Sequence, residues 1–157
     1  MSRVLVACVG NVLRGDDGFG PAVAERLALP EGAEVVETGI GGIALLQELL
    51  AGCDGLVVVD AVDRGAAPGT VFHITPDVGD AEHVADVHLA NPERVLTMAK
   101  SMGALPERVA IVGCQPAEVD ELGEGLSAEV ERAVAVGARH VEELVGAWLQ
   151  EGQRAAR

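Results

Sequence analysis

The sequence predicts a single three-layer α/β domain: a five-stranded, mostly parallel twisted sheet with one antiparallel edge strand and helices on both faces. Two apolar runs, Arg3 to Val9 (RVLVACV) and Gly55 to Ala61 (GLVVVDA), lack the alternation of a half-solvated strand and read as strands covered on both sides. Segments with helical spacing fall between the strand runs, the order that makes neighbouring strands parallel. Hydrophobic residues make up 49% of the 157 residues and aromatics only 2%, so the core is built from Val, Leu, Ile and Ala. A chain of this length buries about two-thirds of its unfolded surface.

Each element follows from local signals. After the first strand comes a glycine-bearing loop, Gly10 to Gly18, and then a helix opened by Gly20-Pro21 and running through Leu27, with Pro21 placed at the first helical position. Leu29-Pro30-Glu31-Gly32 is a turn and Ala33 to Glu37 a short strand. A second glycine loop, Thr38 to Gly42, leads into Ile43 to Leu50, where Leu45, Leu46, Leu49 and Leu50 recur with helical spacing. The strand Gly55 to Ala61 is followed by Thr70 to Ile74. The connection between these two is too short for a helical crossover, so the latter runs antiparallel at the sheet edge. Asn91 caps a helix through Met102, Arg108 to Gly113 is the fifth strand, and Ser127 caps a long amphipathic helix through about Leu149, on which Trp148 is a packing residue. The domain thus spans residues 1–150, and 151–157 reads as a frayed tail.

With 25 acidic against 11 basic residues the net charge is −14, a surface that repels phosphate backbones and anionic lipids, so neither nucleic acid nor membrane is an expected partner. No stretch is long and apolar enough to span a bilayer and no signal-peptide pattern precedes the first strand; a cytoplasmic location is expected. Cys8, Cys53 and Cys114 are odd in number and share no CxxC spacing, so they read as small buried hydrophobes.

Sites in folds of this class lie outside the carboxyl ends of the strands. Asp16 and Asp17 follow the first strand, Asp60 ends the third, and His88 stands in the loop before the third helix. Two carboxylates and an imidazole can bind a first-row divalent metal and leave positions open. Asp60 is the most telling of these, because an acid closing the run LVVV needs a partner or solvent. Adjacent acids diverge, so one of Asp16 and Asp17 faces the site. His83 is a further conceivable ligand, whereas His73 and His140 read as structural or surface groups. A phosphate loop is excluded because Asp16 stands where its lysine belongs, neither glycine loop matches GxGxxG, and no GxSxG elbow is present.

In this order the motifs resemble those of the hydrogenase maturation proteases, over nearly the whole chain to about Leu149. GNVLRGDDGFG is similar to the family's opening loop, TGIGGIALLQEL to its glycine segment, LVVVDAV with APGTV to its strand-ending acid and next strand, and VGCQPAEVDELGEGLS to its late loop; His88 matches the histidine ahead of its helix. The resemblance implies an endopeptidase that trims a C-terminal peptide from the nickel-loaded precursor of a nickel–iron hydrogenase large subunit. It implies that Asp17, Asp60 and His88 contact nickel supplied by the substrate, with no tightly bound cofactor in the protease itself. Asp16 matches a recurrent acid and is carried as a catalytic candidate for activating water. Gly39, Gly41 and Gly42 match a segment associated with substrate recognition. Two other functions remain open at this point: a non-enzymatic nickel-binding maturation chaperone, and a metallohydrolase with its own zinc.

Overall fold

Every residue of Val4–Val9 (β1) is buried, and its side chains divide by parity between two cores. Val4, Val6 and Cys8 belong to one core and Leu5, Ala7 and Val9 to the other, as the two-residue period of a strand requires. A computed structural model of the chain describes residues 3–39, 42–78, 92–117, 123 and 125–155. Ala33–Gly39 (β2) and Gly55–Ala61 (β3) flank β1, both parallel to it. Val71–Ile74 (β4) pairs antiparallel with Arg108–Cys114 (β5), which lies parallel to β3, and the sheet order is β2-β1-β3-β5-β4. The expected antiparallel edge strand is thus β4.

Phe19–Arg26 (α1) and Ala128–Ala155 (α4) cover the face shared by Val4, Val6 and Cys8. Gly42–Leu50 (α2) and Pro92–Ser101 (α3) cover the opposite face through Leu45, Leu49, Val95, Leu96 and Ala99. Trp148 packs on the first core, its ring so close that a Cβ on Gly55 would stand 2.9 Å from it. None of the described helices is long and apolar enough to cross a membrane.

Two boundaries differ from expectation. The first helix begins at Phe19, so Pro21 is its third residue; the missing N–H still falls among the first four, which have no intrahelical acceptor. The helix α4 continues to Ala155 where a frayed tail is expected, and an ion pair between Arg108 and Glu151 ties this extension to β5. The expected cap Asn91 lies outside the described residues.

The chain leaves β1 for β2 on one side and later returns to β3 on the other. That reversal opens a crevice between β1 and β3 at their carboxyl ends. Gly20 lets α1 start close above it: a Cβ there would stand 2.2 Å from the Val9 carbonyl oxygen and 2.8 Å from that of Val59. Gly20→Ala therefore forces backbone movement in two central strands. The expected cost is about 3 kcal/mol, read as a lowered urea midpoint with an unchanged slope.

Candidate functional site

The loop after β1 folds back on itself because Gly10 permits it. Its φ is +145°, and a Cβ would stand 2.0 Å from the Asp17 carbonyl oxygen. The Asn11 side chain accepts from the Leu13 N–H at 2.9 Å, and Gly15–Gly18 makes one 3-10 turn that carries both acids. A bridge joins Arg14 to Gly123, with the Gly15 N–H donating to the Gly123 carbonyl at 3.0 Å and the Gly123 N–H to that of Leu13 at 2.9 Å. The opening loop and the late loop are thus stitched together.

The two adjacent acids diverge as expected. Asp17 accepts the Asn11 N–H on Oδ2 at 2.9 Å and lies close enough to Asp60 for their charges to repel. Asp60 is half-buried at the carboxyl end of β3, on the same sheet face as Leu56 and Val58. Burial pushes its carboxyl from an ordinary 3.8 up to about 7, the charge of Asp17 pushes in the same direction, and a hydrogen bond from the Ala61 backbone works against both.

Asp16 is occupied differently. It is only 2% exposed, its Oδ1 accepts the Ser127 N–H at 2.7 Å, and its Oδ2 accepts the Ala117 N–H at 2.8 Å and the Ser127 hydroxyl at 2.9 Å. A base that activates water has to reach it; here both oxygens are committed to the two ends of the late loop. The geometry makes Asp16 a tie rather than a solvent-facing base. Ser127 does cap α4 as expected, its Oγ accepting the Val130 N–H at 3.4 Å.

Among the glycines, the Gly39 carbonyl accepts the Gly10 N–H at 3.0 Å, which joins the second glycine loop to the first, and Gly42 is the buried first residue of α2. Gly41, His83 and His88 lie outside the described residues; His73 and His140 are exposed. Among the described residues no three potential ligands cluster, and Asp17 with Asp60 contributes two oxygen donors. A repelling carboxylate pair suits a divalent cation, which relieves both charges at once. The cysteines offer no nucleophile: all three are free, and burial pushes Cys8 up to about 12 and Cys114 up to about 11.

One residue escaped the reading of the sequence. Gln115, 5% exposed just past β5, accepts on Oε1 from the Arg64 and Ala66 N–H groups at 2.7 and 3.2 Å and donates from Nε2 to Asp63 Oδ1 at 2.9 Å. It fixes the turn after Asp60. Its signal was the one used for Asp60, a polar side chain at the end of an apolar strand, which must be satisfied there.

The fold and these contacts define an α/β protein with two carboxylates, Asp17 and Asp60, brought together at the sheet's switch point. The chain belongs to the hydrogenase maturation protease family, whose pattern matches residues 21–144, a stretch that includes Asp60 and His88 and begins just after the acid-bearing loop. It is 35% identical over 150 residues to the hydrogenase expression/formation protein HupD of Rhodobacter capsulatus, covering 88% of this chain and 71% of that one. It is 33% identical over 138 residues to a putative hydrogenase maturation protease of Methanocaldococcus jannaschii, covering 83% and 88%. Among solved structures, the hydrogenase maturating endopeptidase HybD of Escherichia coli superposes with a TM-score of 0.75 at 28% identity, covering 88% of this chain and 89% of that one.

Proposed function

We propose that this endopeptidase removes a C-terminal peptide from the precursor of a nickel–iron hydrogenase large subunit, and that nickel already seated in the precursor is what licenses the cut. Asp17, Asp60 and His88 contact that nickel, and the protease keeps no metal of its own. The observation that supports this reading is the encounter of Asp17 with Asp60, a carboxyl that burial first, and the neighbouring charge of Asp17 second, push up to about 7. A divalent cation relieves both charges at once, and an oxygen-rich set grips it loosely enough to leave it in the substrate. Hydrolysis then adds water across the scissile amide, the oxygen going to the carbonyl carbon and a proton to the departing amine. Asp16 acts one step back, by holding the turn that presents Asp17.

The test is the mass of a nickel-loaded and a nickel-free precursor after incubation with the purified protein. The loaded form is expected to lose its C-terminal peptide and the free form to stay intact. Cutting of both would sink the nickel requirement, and an unchanged mass for both would favour the chaperone. Tightly held stoichiometric zinc in the purified protein would favour an ordinary metallohydrolase. Asp17→Asn is expected to slow trimming of the loaded precursor by at least about a hundredfold, on the scale seen when a group acting in the transition state is lost, with the melting curve nearly unchanged.

A further inference from the structure

A groove bordered by Asp60 runs along the α3 face of the sheet. Its inner part, about 340 Å³, is walled by Val58, Ala61, Val62, Ile74 and Ile111, with Asp60 among its lining residues. Its outer part, about 440 Å³, continues past Ile74 and is rimmed by Asp63, Asp77 and Glu93 with Arg64. Val62, Asp63, Ile74 and Glu93 border both parts, so the two adjoin.

We infer that this groove is the subsite for the peptide that the cut releases, received as an extended segment with apolar side chains next to the scissile bond and basic ones further on. This subsite rests on the proposed endopeptidase function and adds the chemistry of the substrate. Contact with Asp60 argues for the occupant: a chain cut beside Asp60 runs on from it, and a groove of this volume takes a single extended strand, not a folded body. Ladder positions set the reach. Asp60 is level with Gly113, and Ile74 is level with Ile111, one strand further out. Two strand spacings across and two residues along come to roughly 12 Å, the span of about four extended residues.

Charge selects the residues beyond the apolar stretch. Among the described residues the outer rim carries three carboxylates and one guanidinium, and Arg64 stands over the Phe72 ring, 5.5 Å from its centre. The Lys100 ammonium, a second cation at this border, donates to the carbonyl of Val78, itself a lining residue, at 2.8 Å. Asp63 stays ionised, its carboxyl held low by hydrogen bonds from Gln115 and Gly65. A lysine or arginine about five residues beyond the cut meets opposite charge here, and a glutamate meets like charge.

The probes are two labelled synthetic peptides of about eight residues, each opening with valines and alanines; one carries two lysines at its fifth and sixth positions and the other two glutamates. The lysine peptide is expected to bind at least about fivefold more tightly, the scale of two exposed ion pairs. In Asp77→Lys/Glu93→Lys, both positions being exposed, the preference is expected to reverse. Equal binding of the two peptides, no saturable binding of either, or a preference the double variant leaves unchanged would overturn the assignment. Trimming of a nickel-loaded precursor, followed alongside, separates the two levels: trimming that persists while the peptides bind alike removes the groove and leaves the protease, whereas a wild-type chain that cuts nothing removes both.

Discussion

Asp60→Asn is expected to leave the nickel-loaded precursor uncut while making the fold more stable above neutral pH. Asp60 keeps its proton up to about 7 in the folded chain, against an ordinary 3.8. Between those values the folded state binds more protons than the unfolded one, so stability falls as pH rises through that window and levels off above it. The gap corresponds to at most roughly 4 kcal/mol; because Asp60 is only half-buried, water screens part of it, and about 2 kcal/mol is expected. The amide of Asn is neutral at every pH, removes the repulsion with Asp17 and still accepts from the Ala61 backbone. Urea denaturation of both forms at pH 5 and pH 8 tests this: the variant gains at pH 8 and much less at pH 5. An equal difference at the two values would mean that Asp60 does not ionise at a cost to the fold. The coupling of a lost activity to a gained stability marks a carboxylate kept for function, where an uncharged side chain would fold better.

The sheet was legible because its central strands are continuous apolar runs. β1 and the first five residues of β3 are fully buried, and an acid closing such a run stands out against it. Asp60 was therefore visible from hydrophobic pattern alone, and Asp17 from the strand-end rule together with the divergence of neighbouring acids. What was illegible depends on contacts far apart in sequence. Nothing near Asp16 indicates that its partners are Ala117 and Ser127, over a hundred residues on, and Gln115 is tied to Asp63 and Arg64, some fifty residues back. The end of α4 is hidden for the same reason: the glycine in its last turns weakens the local signal, and the ion pair from Arg108 that ties down Glu151 comes from another element. The groove beside Asp60 was equally hidden, since it exists only where β3, β4 and α3 come together.

Asp16→Ala, by contrast, is expected to act on the fold first. The substitution leaves the Ala117 N–H, the Ser127 N–H and the Ser127 hydroxyl without their shared acceptor at a position 2% exposed. Hydrogen bonds to a charged group contribute about 1.5–3 kcal/mol each, and one of the three donors can turn to water or to the backbone, so a loss of about 3–4 kcal/mol is expected. Asp16→Asn keeps a single acceptor oxygen and sets an amide N–H against a donor, which places it in between. The damage should spread along the stitch between the loops: the Gly15 and Gly123 amides, which close the Arg14–Gly123 bridge, should exchange with solvent faster than in the wild type, while amides of β1 and β3 keep their protection relative to global unfolding. Trimming activity should fall as the turn presenting Asp17 loosens, and it should recover in part at low temperature, where that turn is again populated. Asp17→Asn supplies the contrast, since its carbonyl can still accept from Asn11 and its cost to the fold stays below about 1 kcal/mol. Two neighbouring acids thus separate by their readouts, one through unfolding and exchange, the other through turnover alone. An Asp16→Ala chain that melts like the wild type and yet cuts nothing would place Asp16 at the reacting atoms and overturn the division between them.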